Sequence, residues 1–181
     1  MRGVRVTLPA GLKPGTFFVS HGSGVLGAVI RRNTESWAGH AGVFLGPHNF
    51  GAHAAPDLAP AIVEATWPRT RISRASRHPD ARWAIREPLT DRQRGLAVAR
   101  ALELVGGRYD PLAYLGFSLE VLHAATAKDL APLMRHDSWR VCSAVVADTR
   151  AAAGIRWWPG SPVNLCSPAD LDNLAAEKGW F

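Results

Sequence analysis

Apolar residues alternate with small or polar ones over the first half of the chain, and recur at helical spacing over the second. Residues 16–20 follow a Pro14-Gly15 turn signal and read as a strand. Residues 40–45, His-Ala-Gly-Val-Phe-Leu, form a second strand that stops at Gly46-Pro47. Residues 47–60 are rich in Gly, Pro, Ala and His and read as a loop. Short strands follow at 61–66 and 82–86, with Pro68 and Pro79 as punctuation between them. Beyond residue 90 the period changes. Thr90-Asp-Arg-Gln93 has capping-box spacing. Ala97, Ala101, Leu104 and Val105 then share one helical face, which Gly106-Gly107 ends. Asp110-Pro111 opens a further helix, with Leu112, Leu115, Leu119 and Leu122 as its apolar set. An apolar helix carrying Cys142 runs to about Gly154, and Ser167-Pro-Ala-Asp170 caps a last one bearing Leu171 and Leu174. Strands first and helices after predict an α+β layer arrangement, not alternating βαβ units.

Composition narrows the class. A chain of 181 residues has the length of one domain with a real core. Its 47% hydrophobic and 20% charged content is that of an ordinary globular protein. The net charge of +6 comes almost wholly from scattered arginine. Arg69, Arg71, Arg74 and Arg77 are the densest basic segment. This reads as a solvated basic face, or as attraction to an anionic partner such as a cell-wall polymer or phospholipid surface. Without aromatic interleaving or a nucleic-acid module, no nucleic acid is expected. Two cysteines do not make a disulfide framework, although they leave one bridge open. The N-terminus has charge but no apolar run behind it, which argues against a signal peptide. No stretch reads as a transmembrane span. The expected location is therefore cytoplasmic as synthesised.

The candidate chemistry is a thiol, a base and a third polar group. Cys142 stands where an apolar helix starts, between Ser138 and Cys142 itself. A thiol in the first helical turn feels the positive end of the helix, which favours the thiolate; in the second turn the effect weakens. Cys166 lies just outside its helix, because Ser167 is the better cap. His40 opens a strand between Gly39 and Gly42, two glycines that leave space around an imidazole. Glu64 interrupts the apolar run Ala-Ile-Val-Glu-Ala; either it faces outward or a histidine or arginine pairs with it, because an unpaired buried charge is costly. Gly22-Ser-Gly24-Val-Leu-Gly27 matches a dinucleotide fingerprint but lacks the strand-borne acid that should follow, and reads as a loop near a site mouth. His48 and His53 have no ligand partners at metal spacing, so no metal and no cofactor is expected. No Gly-x-Ser-x-Gly elbow is present.

In order, Lys13-Pro-Gly-Thr-Phe-Phe-Val19, Gly39-His40-Ala-Gly-Val-Phe-Leu-Gly46, Ile62-Val-Glu64-Ala65, Gly107-Arg-Tyr109-Asp110, Val141-Cys142-Ser-Ala-Val-Val146 and Ser167-Pro-Ala-Asp-Leu171 resemble the circularly permuted, YiiX-like branch of the NlpC-type papain-like cysteine hydrolases. Histidine before acid before cysteine is the order that permutation implies. The resemblance implies a papain-like domain with an N-terminal antiparallel sheet and the nucleophile at a helix N-terminus. It implies Cys142 as nucleophile, His40 as base and Glu64 as the group that orients His40. It also implies help at the oxyanion or substrate from Tyr109, with Ser143 and His21 as further candidates. Cys-Ser-Ala-Val departs from the acid or glycine that the family commonly shows soon after Cys-Ser, so the substrate edge of that helix differs. The implied activity is amide cleavage in cell-wall peptides through an acyl-enzyme. Lipid acyl hydrolysis or transfer on the same triad is the second reading, and an inactive binding or structural module the third. A wall substrate would require release by lysis or carriage in a phage particle.

Overall fold

The computed structural model describes residues 7–51, 57–109, 139–158 and 166–181. The helix expected after Asp110-Pro111, with Leu112, Leu115, Leu119 and Leu122, lies outside them, as does His53. The described part is an α+β structure. Seven strands form one sheet: β1 (Phe17–Ser20), β2 (His40–Asn49), β3 (Leu58–Thr66), β4 (Arg69–Arg74), β5 (Arg82–Trp83), β6 (Arg108–Tyr109) and β7 (Trp139–Arg140). Their order is β5-β1-β2-β3-β4-β6-β7. All neighbours are antiparallel except β6 and β7, which run parallel. The described helices are α1 (Gly24–Thr34), α2 (Asp91–Glu103), α3 (Cys142–Ala152) and α4 (Pro168–Glu177). No helix among the described residues is long and apolar enough to cross a membrane.

Pleating sorts the strands into two faces. Phe17, Val19, Ala41, Val43, Val63 and Ala65 look into the main core, where α3 contributes Ala144, Val145 and Val146 and α4 contributes Leu171 and Ala175. Phe18, Phe44, Ile62 and Trp83 make a second cluster on the other face. Both expected capping boxes are present, with Thr90 and Gln93 closing the start of α2 and Ser167 and Asp170 that of α4. Ala97 and Ala101 are fully buried, whereas Val105 falls beyond the helix end and is exposed.

Two expectations are corrected. The segment from Gly24 is a helix and not a loop. Its Val25, Leu26, Val29 and Ile30 do carry helical spacing, and Arg31 ties it back to the end of β1 by donating to the carbonyls of His21 and Gly22. Residues 47–49 and 58–60 are strand and not loop. A bulge between Phe44 and Gly46, with Gly46 at φ +100°, shifts the register and lets the β2–β3 hairpin run on. On the β1 side the last backbone hydrogen bonds of β2 among the described residues are those of Phe44 with Gly15 and Thr16, and Pro47 lies beyond them, where a proline is tolerated. The basic segment 69–74 is a strand between β3 and β6, with Arg69 and Arg71 exposed.

The far end of α3 is anchored by a buried ion pair. Arg150 Nε and Nη2 donate to Glu87 Oε1 and Oε2 at 2.8 and 2.7 Å, a two-pronged contact, and Nη2 also donates to the Gly15 carbonyl. The guanidinium lies beside the adjoining rings of Phe17 and Trp157, 5.5 and 5.6 Å from their centroids. Both charged side chains are withdrawn from water. Removing one partner strands the other charge in an apolar setting, a loss of about 3–5 kcal/mol. Glu87→Ala should therefore lower the unfolding free energy by that order in urea denaturation. The paired change Glu87→Leu with Arg150→Met should cost clearly less, and a single-variant loss below about 1 kcal/mol would contradict the assignment.

Candidate active site

Helix α3 begins at Cys142, so the thiol sits in the first turn. Val141 is the N-cap residue and makes no side-chain cap. That contrasts with the complete boxes of α2 and α4, and leaves the N-terminal turn without a side-chain acceptor. His40 is the first residue of β2, and its side chain hydrogen-bonds both Cys142 and Glu64. The Glu64 contact is Nε2 to Oε2 at 2.8 Å. With Nε2 so engaged, Nδ1 is the ring nitrogen left for the sulfur.

Glu64 is 1% exposed, on the same face of β3 as Ile62. It is far from unpaired. His78 Nε2 meets the same Oε2 at 2.8 Å, and Ser73 hydrogen-bonds the carboxylate. On the other oxygen, Oε1, lie Arg71 Nη2 at 3.5 Å and Arg77 Nε at 3.9 Å. Ser20 Oγ is 3.1 Å from His78 Nδ1, which orients the second imidazole. The two imidazoles stack, with centroids 4.9 Å apart and planes 15° from parallel. The ring of Phe18 packs against both.

The glycines beside His40 do not serve as open space. A Cβ on Gly42 would stand 2.7 Å from the Phe18 ring and from the Val63 carbonyl. A Cβ on Gly39 would stand 2.4 Å from the His21 carbonyl. Both positions are glycine because backbone and ring pass too close for a side chain.

The electrostatics follow from this geometry. Burial by itself lowers the pKa of His40. The charge of the Cys142 thiolate and the hydrogen bond to it, with the hydrogen bond and charge of Glu64, more than reverse this and push it up to about 10. Burial raises the pKa of Glu64, but hydrogen bonds from His40, His78 and Ser73 and the charge of His40 hold it well below the usual carboxylate range. Attraction between sulfur and imidazole is mutual, so the contact that keeps His40 protonated also favours the thiolate. Cys166 differs: burial first, then the charges of Asp170 and Cys142, raise its pKa well above the ordinary thiol value.

A cleft of about 430 Å³ opens over the group, its lining including His40, Glu64, His78 and Tyr109. Cys142 is 1% exposed and its sulfur is not part of the cleft wall among the described residues. Tyr109 is held on β6 by its N–H, which donates to the Pro68 carbonyl. Ser143 is fully buried and donates to the Cys166 carbonyl, so its hydroxyl joins α3 to the chain before α4. His21 is exposed, its ring against Trp37 and its N–H donating to Asp80. The structure thus joins Cys142, His40 and Glu64, puts Tyr109 on the cleft wall, and sets Ser143 and His21 away from it.

His78 and the carboxylate-facing role of Arg71 escaped the sequence reading. Arg71 had a usable signal. The two-residue connection Trp67-Pro68 pairs Thr66 with Arg69, and counting outward from it puts Glu64 opposite Arg71. His78 arrives on a turn of 3₁₀-helix (Ala75–Arg77) after β4, and no periodic pattern marks it. One atom each from His40, Glu64 and His78 lie within 4.8 Å of one another, a spacing that can also hold a metal ion. Comparison with protein-family models and with curated proteins gives no match for the chain.

Titration of His40, followed by imidazole NMR, should show a midpoint near 10, the proton being retained below it and lost above it. Cys142→Ala removes the largest of the raising influences, so its midpoint should fall towards 6.5. A native midpoint near 6.5 would exclude the ion pair.

Proposed function

We propose that the protein is a cysteine hydrolase that cleaves an amide bond through a thioester intermediate. The observation that carries this is a first-turn cysteine hydrogen-bonded to a histidine whose Nε2 is held by a buried carboxylate. Support also comes from the resemblance to circularly permuted NlpC-type, papain-like hydrolases, which has the same three residues in the same roles.

The Cys142 thiolate attacks the substrate carbonyl carbon. The S–C bond forms and the carbonyl oxygen becomes an oxyanion. The N–H groups of the first turn of α3, Cys142's own among them, are the donors closest in the chain to that oxygen. His40, charged below its raised pKa, gives its proton to the leaving nitrogen as the C–N bond breaks. Neutral His40 then takes a proton from water. The hydroxide so formed opens the thioester, releasing a carboxylic acid and restoring the thiolate beside a protonated His40. Glu64 holds the imidazole in place and favours its charged form throughout. Tyr109, on the cleft wall, is the residue next in line to meet the substrate. A cell-wall peptide is the first substrate to test and a phospholipid ester the second.

Iodoacetamide near neutral pH should alkylate Cys142 at least tenfold faster than the same thiol in the unfolded chain, and Cys166 hardly at all. Incubation with muropeptides should leave an acyl adduct on Cys142, visible by mass spectrometry and absent in Cys142→Ala. A chelator should change neither result. Equal labelling of native and unfolded Cys142 would rule out an activated nucleophile, and reaction lost on chelation would move the chemistry to a metal at His40, Glu64 and His78.

A further inference from the structure

The cleft carries more positive charge than its buried acid needs. Among the described residues that line it, Glu64 is the sole acid, while His40, His78, Arg71 and Arg77 are basic. Glu64 is already engaged at Oε2 by both imidazoles. Arg71 Nη2 donates a long hydrogen bond to its Oε1 at 3.5 Å and Arg77 Nε lies 3.9 Å from the same oxygen, and their side chains are 44% and 58% exposed. Two guanidinium groups are therefore held at one carboxylate oxygen by one contact each, and both residues line the cleft. Helix α1 starts on the same wall, at Ser23 and Gly24, and its partial positive end adds to the potential. Exposed Trp67, also on the wall, supplies an apolar edge beside them.

We propose that Arg71 and Arg77 form a carboxylate-binding subsite beside the Cys142–His40 pair, selecting acyl substrates that carry a carboxylate close to the bond that is cut. This rests on Cys142 being the nucleophile. Guanidinium forks match a planar carboxylate with paired hydrogen bonds. A cleft of about 430 Å³ suits a short peptide better than a lipid with two long chains.

The test compares two alkylating agents of the same shape, anionic iodoacetate and neutral iodoacetamide. In both, the sulfur displaces iodide from a methylene carbon, so the ratio of their rates at Cys142 cancels any change in the thiol's own reactivity. The native ratio should exceed that of the unfolded chain, and in the double variant Arg71→Gln, Arg77→Gln it should fall by about tenfold. Arg71→Lys with Arg77→Lys, which keeps charge but not the forks, should fall between. Acetylglutamate should slow alkylation of the native protein and not of the glutamine variant. A ratio that is the same in native and variant protein overturns the subsite. Protection by dihexanoyl phosphatidic acid but not by acetylglutamate overturns the carboxylate assignment in favour of a phosphate. If iodoacetamide itself shows no enhanced rate, the nucleophile assignment fails. Calorimetric binding of acetylglutamate to native and variant protein then decides the subsite alone.

Discussion

A buried carboxylate is the constraint around which the site is built. Glu64 lies inside the sheet, where a lone charge is costly, and so the residues around it have to answer it. Two imidazoles share one of its oxygens, a serine hydroxyl joins them, and two guanidinium groups stand off the other. With this many donors the acid stays ionised, and the ionised acid adds to the larger influence of Cys142 in keeping His40 charged. The order of the active site therefore runs from burial to hydrogen bonding to protonation state.

Close packing holds the arrangement as much as charge does. Phe18 lies across Gly42 and against both histidines, so the strand pairing of β1 with β2 sets where the imidazoles stand. On the other face, α3 is fastened at its far end by Arg150, which grips Glu87 and the backbone at Gly15. Ser143 fastens its near end to the Cys166 carbonyl. With both ends tied, the first-turn thiol has little freedom to leave His40.

The two cysteines separate by environment. Each is buried near the start of a helix. Cys142 faces an imidazolium at a helix end that no side chain caps, whereas Cys166 precedes a fully capped helix and has an aspartate for a neighbour. Burial raises a thiol's pKa unless an opposite charge answers it, and only Cys142 has that answer.

Local pattern alone revealed the elements whose information is local. The capping boxes at Thr90 and Ser167, the start of a helix at Cys142, and an acid out of place at Glu64 are all visible within a few residues. So is the α+β class, although α1 falls between β1 and β2, and β6 and β7 follow α2. The bulge at Gly46, the helix behind the glycine fingerprint and the strand made of arginines were hidden, because each is stabilised by neighbours distant in sequence and not by its own propensity. His78 was invisible for the same reason: nothing beside it in the chain refers to Glu64, and only the turn after β4 brings it there. The chain's own order of residues determined which groups could do chemistry. Tertiary packing decided which of them share a proton, because hydrogen bonds and charge act over a few ångströms of space whatever the separation along the chain.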